Sequence, residues 1–394
     1  MVVTIQTDVI DLTQQAVRIQ SLSGEEGTVA SLLYDEMKKL DYDEVWIDAY
    51  GSLIGKIAGE GRGQSVLFDG HIDTVPVNSP EKWTYDPFGA EIVDGKMYGR
   101  GTSDMKGAVC AAIVAGGEIG KEVKRTGVRP EGDIYISASV CEETFEGAAL
   151  EEIVSKVHPD NVVIMEPSDL NISKGQLGRA EIKINAHGRS AHSSTPDAAV
   201  NAIHEMNSMI SGIMNLESPT HPDLGTGISV VTDIISSPYP GASVIPDQCQ
   251  ITVDRRLLEE ESEQSVLRQY DALVPLNKQF TMHVTEAELS CYTGKKRILK
   301  RFFPGWLMEE DSPIVQASLS SLQAIEQDPE IVTYQFCTNG SYSAGIAGIP
   351  TIGYGPSSAS LVHIVDEYIE TEQLTKAAEG IHALAMDLTG SLSK

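Results

Sequence analysis

The order of apolar and polar positions predicts helices and strands that alternate along the first part of the chain. Apolar residues recur at helical spacing near the N-terminus, and a second helix is predicted after Ser23, which with Glu26 has the spacing of a capping box. Short apolar runs at residues 65–68, 133–138 and 161–165 then alternate with segments of helical periodicity. This alternation is typical of a mainly parallel sheet covered on both faces, so it predicts a three-layer α/β/α domain.

The pattern changes near residue 180. Residues 180–187 alternate strictly between apolar and polar side chains, as an antiparallel strand with one exposed face does. Helix and strand signals then follow in the order β-α-β-β-α-β, which predicts a small α+β sandwich of the ferredoxin-like type. From residue 291 the signals of the first domain return. The sequence therefore predicts one α/β domain formed by residues 1–179 and 291–394, interrupted by an inserted α+β domain at residues 180–290.

Composition and charge narrow the classes of partner. The 394 residues carry a formal net charge of −28, which disfavours binding to nucleic-acid backbones and to anionic membrane surfaces. No apolar run approaches the ~20 residues that a membrane-spanning helix needs. The five cysteines are scattered and never form a Cys-x-x-Cys pair, which argues against a disulfide framework and a thiolate zinc site. We therefore expect a cytoplasmic protein with reduced thiols.

Acidic and histidine side chains stand at the ends of several predicted strands and in nearby loops. They are His71 with Asp73, Asp104, Glu142 with Glu143, Glu166 and His363. Each of them alone is more simply explained as a solvated or hydrogen-bonded residue. Because α/β proteins build their sites where strands end, we expect these side chains to converge. Two histidines with carboxylates and no thiols suit paired Zn²⁺, Mn²⁺ or Co²⁺, with zinc favoured by the nitrogen ligands. The carboxylate of Asp73 is expected to accept a hydrogen bond from the His71 ring and so to fix its tautomer.

The order of these motifs resembles the family of di-zinc metallohydrolases that contains acetylornithine deacetylase, succinyl-diaminopimelate desuccinylase, aminoacylase and carboxypeptidase. The resemblance covers essentially the full length, including the inserted domain. It implies two divalent metal ions per chain, most simply zinc, with cobalt or manganese as alternatives. It implies that His71 and Glu166 hold one ion, that Glu143 and His363 hold the other, and that Asp104 bridges both.

The resemblance also implies roles beside the metal ligands. Glu142 matches the family's general base, and Asp73 matches the partner that orients His71. The peptide bond between Asp104 and Met105 falls where the family has a cis peptide.

The inserted domain carries further matches. The segment 188–196, which contains His192, resembles the family's lid motif, whose histidine reaches the partner subunit's active site and stabilises the developing oxyanion. An ordinary hydrogen-bonded turn is the simpler alternative. The resemblance implies a homodimer in which residues 180–290 form a lid and dimerisation domain. Arg256 matches the position where an arginine pairs with the substrate's carboxylate, a task that suits a planar guanidinium.

Three positions depart from the family pattern. Cys141 replaces the usual aspartate before the paired glutamates, and Ser243 replaces an asparagine that contacts substrate. Asn339 lies in a loop, residues 337–341, that differs from the usual acidic or glycine-rich version. We expect all three near the substrate pocket, with Ser243 and Asn339 as substrate-binding residues. The substrate of no single family member can therefore be transferred to this chain.

The predicted function is metal-dependent hydrolysis of an amide bond beside a free carboxylate, with a two-metal-activated water and Glu142 as general base. The substrate is an N-acylated amino acid or a small peptide, and deacylation is slightly favoured because nothing marks an extended peptide groove. Two alternatives stay open. One is an N-carbamoyl or ureido amino acid amidohydrolase that uses the same ligands. The other, from a different class, is a catalytically inactive metal-binding or assembly protein.

Overall fold

The computed structural model describes residues 2–390 of the chain. Its helices are α1 (Val2–Val17), α2 (Gly27–Lys39), α3 (Gly107–Thr126), α4 (Ala148–Val157), α5 (Ala202–Met214), α6 (Glu263–Asp271), α7 (Pro313–Ala324), α8 (Gly340–Ser343) and α9 (Thr371–Leu388). Its strands are β1 (Glu44–Ile47), β2 (Leu53–Ile57), β3 (Val66–His71), β4 (Glu91–Val93), β5 (Lys96–Tyr98), β6 (Ile134–Ser139), β7 (Asn161–Ile164), β8 (Ile172–Gln176), β9 (Gly178–His187), β10 (Thr220–His221), β11 (Gly225–Thr226), β12 (Ile228–Ser237), β13 (Gln248–Leu257), β14 (Gln279–Val284), β15 (Glu286–Ser290), β16 (Lys296–Lys300), β17 (Phe302–Phe303), β18 (Trp306–Leu307), β19 (Ile331–Tyr334), β20 (Thr351–Gly353) and β21 (Tyr368–Glu370).

The main sheet contains the strands that the apolar runs predict. Within the described residues it has nine strands in the order β1-β2-β6-β3-β7-β20-β8-β18, with β19 also paired to β8. At its centre β3 is parallel to β6 and to β7, and β7 is parallel to β20. The outer strands β1, β2 and β18 are antiparallel to their neighbours. The sheet is therefore mixed, with parallel pairs at its centre and between β8 and β19. The β1–β2 pair is antiparallel because the turn at residues 48–52 is too short for the crossover that a parallel pair would need.

Helices cover both faces of this sheet, so the predicted three layers are confirmed. Neighbouring residues of β3 belong to different cores, since successive side chains of a strand point to opposite faces. Phe68 packs in a core with Val109 of α3 and Ile381 of α9. Leu67 packs in a second core with Ile153 of α4. Because β3 is buried on both faces, its polar end can meet a ligand only at the edge of the sheet where the strand stops.

The segment between β8 and β15 forms an antiparallel sheet with its own core. Its strand order is β12-β13-β9-β14, and α5 and α6 pack against it. The residues of β9 alternate between buried and half-buried positions, as the strict sequence alternation predicts. The order β-α-β-β-α-β is as expected. The division into domains at residues 180 and 290 stays a proposal, and β17 pairs with β9 across that division.

The start of α2 differs from the predicted capping box. Glu26 is the N-cap residue, but its side chain makes no cap hydrogen bond. The Ser23 hydroxyl donates to Asp73 Oδ2 at 2.7 Å, and Glu26 Oε1 accepts the backbone N–H of Cys141 at 3.0 Å. Ser23 and Glu26 therefore bond to buried polar groups at the edge of the main sheet, which need partners, and not to the start of α2.

Two further observations concern the cysteines and the helices. All five cysteines are buried and free. None of the helices within residues 2–390 combines the length and the apolar character that crossing a lipid bilayer requires.

Candidate metal centre and active site

Neighbouring strands of the main sheet end at one edge and place the predicted ligands there. His71 is the last residue of β3, the pair Glu142–Glu143 follows β6, and Glu166 follows β7. Asp104 lies in the segment just before α3, and His363 lies in the loop that precedes β21. The carboxyl ends of adjacent parallel strands meet at the same edge, which explains why side chains so far apart in sequence converge.

Asp104 stands between the two histidines. Its Oδ1 lies 3.0 Å from His71 Nε2, and its Oδ2 lies 3.0 Å from His363 Nε2. Glu166 Oε1 is 3.6 Å from the His71 nitrogen, and Glu143 Oε1 is 3.1 Å from the His363 nitrogen. A carboxylate that faces two imidazoles through different oxygens has the geometry of a bridging ligand. The structure thus brings the five predicted ligand residues together, while their role as ligands is a proposal.

Glu142 lies beside the same cluster. Its Oε2 is 3.9 Å from His71 Nε2, and its Oε1 is buried without a hydrogen-bond partner among the described residues. Two groups of potential ligand atoms, each within 4.8 Å, are formed by His71 with Asp104 and Glu143, and by His71 with Glu142 and Glu166. Geometry alone therefore allows Glu142 to act as a ligand or as a base.

The cluster concentrates negative charge in a buried place. Burial raises the pKa values of Glu142 and Glu166 well above the ordinary value. Burial would also raise the pKa of Asp104, but hydrogen bonds from His363 and His71 outweigh it and lower this pKa. The hydrogen bond to Asp104 raises the pKa of His363 to about 10. Buried carboxylates at these distances repel one another unless a cation lies between them. Two imidazoles and several carboxylates without a thiolate fit two divalent ions of the zinc type.

The His71 ring is oriented by the backbone of Asp73. Its Nδ1 lies 2.9 Å from the backbone oxygen of Asp73 and 3.5 Å from the carboxylate oxygen Oδ1. Because a carbonyl oxygen can only accept, Nδ1 donates, and Nε2 of the neutral ring keeps its lone pair for a ligand. The residue expected to orient His71 does so, but through its carbonyl rather than through the predicted carboxylate.

The Asp73 carboxylate instead holds the turn that carries the two glutamates. Its Oδ1 accepts the backbone N–H of Glu142 at 3.0 Å, and its Oδ2 accepts that of Glu143 at 3.1 Å. The hydroxyl of Ser23 donates to the same Oδ2. Asp73 is fully buried. These bonds fix the backbone of the glutamate pair relative to the end of β3.

Cys141 precedes the glutamate pair in a left-handed backbone conformation, with φ of 59°. Its backbone N–H and its thiol donate to Glu26 Oε1 at 3.0 Å and 3.4 Å. A carboxylate therefore still lies beside position 141, contributed by a residue from the start of α2. Burial, followed by the charge of Asp73, raises the pKa of Glu26.

The loop that carries Asp104 is held by another buried carboxylate. The Asp104–Met105 peptide bond is cis, as the resemblance to the metallohydrolase family implied. Glu367 Oε1 accepts backbone N–H groups of this loop at 2.9, 2.9 and 3.2 Å, those of Gly101, Ser103 and Asp104. Burial raises the pKa of Glu367 to about 7. The sequence motifs do not single out Glu367, although it follows His363 in the same loop.

A cavity of about 460 Å³ opens onto the cluster. Besides the candidate ligands, its lining includes Arg179, Arg256, Glu146, Phe336 and Cys337. Arg256 therefore lines the same cavity as the candidate ligands, and its contact with a substrate carboxylate stays a prediction. A cavity of this volume suits a small molecule.

His192 and Ser243 lie together in the inserted segment but outside this cavity. The backbone N–H of Ser193 donates to the carbonyl of Ser243 at 2.8 Å, and both His192 and Ser243 are exposed. The backbone N–H of Ser194 donates to His192 Nδ1 at 3.1 Å, so the proton of the neutral ring is on Nε2. The structure does not bring these two residues to the candidate ligand cluster of their own chain.

Asn339 is a structural residue, contrary to the predicted substrate contact. Its Nδ2 donates to Asp69 Oδ2 at 2.8 Å and to Ser139 Oγ at 3.0 Å. Its Oδ1 accepts the backbone N–H of Gly147 at 2.6 Å. With its amide engaged on both sides and almost no exposed surface, Asn339 supports the sheet edge. Cys337 of the same loop faces the cavity instead.

Two further cavity residues escaped the sequence analysis. Glu146 follows the glutamate pair closely, and Arg179 stands directly opposite Arg256 in the register of β9 and β13. The first has a signal in the sequence, because a third acid beside two others is unusual after a buried strand. The second has none, because cross-strand register is not visible in a sequence.

The comparison with known families defines the class of protein. Residues 67–387 match the profile of the peptidase family M20/M25/M40. The chain therefore belongs to this family. It is a metal-dependent hydrolase that acts on amide bonds, as the resemblance implied.

Individual relatives place the chain more closely. It is similar to the uncharacterized protein YgeY of Escherichia coli strain K12, with 32% identity over 92% of this chain and 90% of that protein. It is similar to succinyl-diaminopimelate desuccinylase 2 of Ruegeria sp. strain TM1040, with 30% identity over 66% of this chain and 68% of that enzyme. Among solved structures, the dinuclear metal-binding M20 peptidase YXEP of Bacillus subtilis has the same fold. Its TM-score is 0.72 at 15% identity, covering 98% of this chain and 99% of that one.

Proposed function

We propose that this enzyme hydrolyses the amide bond of an N-acylated amino acid whose carboxylate is free. One observation carries the proposal: the cavity that contains the ligand cluster is also lined by Arg256. A planar guanidinium suits a bidentate contact with a carboxylate. An amide placed at the cluster and a carboxylate placed at Arg256 would both fit within this cavity.

The distances support the proposed ligand assignment. His71 and Glu166 would hold one divalent ion, His363 and Glu143 would hold the other, and Asp104 would bridge them, with zinc as the proposed metal. When bound, such a pair polarises the scissile carbonyl and makes water a better nucleophile. The desuccinylase among the relatives and the dinuclear peptidase among the structural neighbours support this assignment.

Glu142 is the proposed general base. It lies on the cavity wall, and its Oε1 has no hydrogen-bond partner among the described residues, so this oxygen is free to take a proton. It then carries the proton to the departing amine. The bonds from Asp73 to the backbone of the glutamate pair hold Glu142 in place for both transfers.

We further propose a homodimer whose inserted segments complete each other's sites. His192 is exposed and carries its neutral-ring proton on Nε2, as an oxyanion donor must. Ser243 lies beside it, so both would reach the partner subunit's cavity together. The edge strand β12 exposes Val230, Ile234 and Ile235, a surface suited to pairing with a second copy.

We place the enzyme in the cytoplasm, where its free cysteines would stay reduced.

The test is a hydrolysis screen of the protein reloaded with zinc, manganese or cobalt. The panel contains N-acyl amino acids, dipeptides, N-carbamoyl amino acids and the same compounds with an amidated carboxylate. We expect chelator-sensitive release of the amine, and we expect it to be fastest with an N-acyl amino acid. Release should be at least tenfold slower when the carboxylate is amidated, a loss typical of a charged hydrogen bond. Preferred release of ammonia and CO₂ from the carbamoyl compounds would identify a ureido hydrolase, and metal binding without turnover would identify an inactive assembly protein.

A further inference from the structure

Four alternating charges run from the turn of the glutamate pair to Arg256, and three of them, Glu146, Arg179 and Arg256, line the cavity. Arg179 Nη1 donates to Glu146 Oε1 at 3.0 Å, and Arg179 Nε donates to Asp254 Oδ2 at 2.9 Å. The other oxygen of Asp254, Oδ1, lies 3.5 Å from Arg256 Nε. Glu146 belongs to the edge of the main sheet, whereas the other three residues belong to β9 and β13. The chain of charges therefore ties the inserted sheet to the turn that carries Glu142.

The register of the strands explains why this arrangement is needed. Arg179 and Arg256 are directly opposite in the antiparallel pair, and like charges in this position repel. Asp254 lies two residues from Arg256, so it points to the same face and separates the two guanidinium groups. Glu146 supplies the second counter-charge. Its side chain is 7% exposed, and those of Asp254 and Arg179 are 19% and 21% exposed, so water screens these pairs only partly.

The contact with Asp254 also decides which edge of Arg256 is offered to a ligand. The Nε of Arg256 faces Asp254, and within the described residues its two Nη groups have no acceptor. A guanidinium whose Nε lies beside one carboxylate can present its Nη edge to a second one. The orientation of that edge depends on Asp254, and the position of Asp254 depends on Arg179 and Glu146.

We propose that Arg179 and Glu146 are positioning residues that hold Arg256, through Asp254, at a fixed place opposite the metal cluster. They thereby make the enzyme selective for substrates whose carboxylate reaches Arg256 when the amide is at the cluster. This inference rests on the proposed role of Arg256. Without Glu146, Arg179 turns fully toward Asp254 and competes with Arg256 for its oxygens. Without Arg179, Asp254 follows Arg256 and the guanidinium loses its fixed orientation.

The test compares Arg179→Met and Glu146→Gln with the wild type on one N-acyl amino acid and on its amide. We expect KM for the free acid to rise about 5- to 50-fold, a usual range for coupled residues, while kcat and the kinetics of the amide change little. The dissociation constant of the product amino acid, measured by calorimetry, should rise in parallel. Arg179→Lys, which keeps one charge but loses one of two bonds, should fall between. If Arg179→Met does not fold, Glu146→Gln makes the same comparison.

A double-mutant cycle separates positioning from direct binding. Adding Arg179→Met to Arg256→Met should raise KM no further, because the first residue acts only through the second. Additive effects would show that Arg179 binds the carboxylate itself and would overturn the inference. Equal effects on acid and amide, or none, would overturn it as well.

Glu205→Gln is the matched control. Glu205 lies on α5 of the inserted segment and pairs with Lys278 at 2.8 Å, and neither residue lines the cavity. It should leave both substrates unchanged. A wild type that hydrolyses acid and amide equally well would refute the proposed carboxylate recognition, and with it this inference. A selective wild type with unselective loss in the variants refutes the inference alone.

Discussion

At the level of single residues, the roles proposed for Glu142 and Glu143 differ although the two are adjacent in sequence. Glu143 contacts His363, whereas Glu142 faces His71 at 3.9 Å and keeps a buried oxygen without a partner among the described residues. A metal ligand contributes the negative charge of its carboxylate to ion binding. A general base that does not contact the metal contributes an oxygen that accepts a proton.

Replacing Glu142 by Gln therefore separates the two roles. Gln keeps the shape but cannot accept a proton, so kcat should fall by about 10²–10⁴-fold, the usual contribution of a positioned general base. Metal content should stay near that of the wild type. Steady-state kinetics and elemental analysis of the same sample check both statements. Loss of a metal ion together with activity would make Glu142 a ligand, and unchanged turnover would remove it from the mechanism.

Residue identity at the strand ends was the predictable part of the site. His71, Glu142 and Glu166 could be found because their strands are parallel neighbours, and the resemblance supplied Arg256. Glu26 could not be found, since its contact with Cys141 spans 115 residues and depends on side-chain direction. The same holds for Asn339, whose amide turned toward Asp69 rather than toward the cavity. Such choices follow from which buried groups lack partners, and a sequence does not give this.

At the scale of elements, the turn after β6 depends on one carboxylate. Asp73 accepts the backbone N–H groups of Glu142 and Glu143. In Asp73→Asn one oxygen becomes an NH₂ group, which cannot accept, so one of these bonds is lost and the pair shifts. We expect metal affinity or activity to fall by about 10–100-fold, as for other outer partners of metal ligands. Metal titration of the apo-protein measures this change.

Asp48→Asn is the control for this turn. Asp48 Oδ1 also accepts backbone N–H groups, those of Tyr50, Gly51 and Ser52, but between β1 and β2. This change should lower thermal stability and leave metal affinity unaltered. Equal loss of metal affinity in both variants would mean that Asp73 acts through general stability rather than through the glutamate pair.

The elements themselves were mostly predictable, for a physical reason that also explains the exceptions. Periodicity reports burial, so β9, with one buried face, and β3, buried on both faces, were visible in the sequence. The capping box at Ser23 and Glu26 failed because local spacing does not show that both side chains have better partners elsewhere. The antiparallel contacts of β8 with β20 and β18 likewise depend on which strands become neighbours in space, and the composition of the strands does not show this.

At the scale of the whole molecule, the proposed dimer makes a prediction that a single chain cannot satisfy. If His192 serves the partner's cavity, His192→Ala should reduce kcat by about 10²–10³-fold, as loss of an oxyanion donor does, with unchanged metal content. A Glu142→Gln chain mixed with a His192→Ala chain should then regain activity. In each hybrid one of the two sites has every group intact, so up to about half of the wild-type activity is expected.

Subunit exchange must be shown independently, by native mass spectrometry of chains with different tags. A mixture of Glu142→Gln with wild type supplies the matched control, since its hybrids also contain one complete site. Exchange without recovered activity would mean that His192 acts within its own chain or has no catalytic role. A protein that stays monomeric at all concentrations would contradict the dimer itself.

We propose above that one chain holds two divalent ions in the cluster around Asp104. The most direct measurement is calorimetric titration of the apo-protein with Zn²⁺, with elemental analysis of the loaded protein, for the wild type, His71→Ala and His363→Ala. Two ions per chain are predicted for the wild type, because Asp104 faces a separate imidazole through each oxygen. Each variant should lose or greatly weaken one of them. A wild type that retains only trace metal, or a single variant that still binds two ions as tightly as the wild type, would rule out this two-ion site.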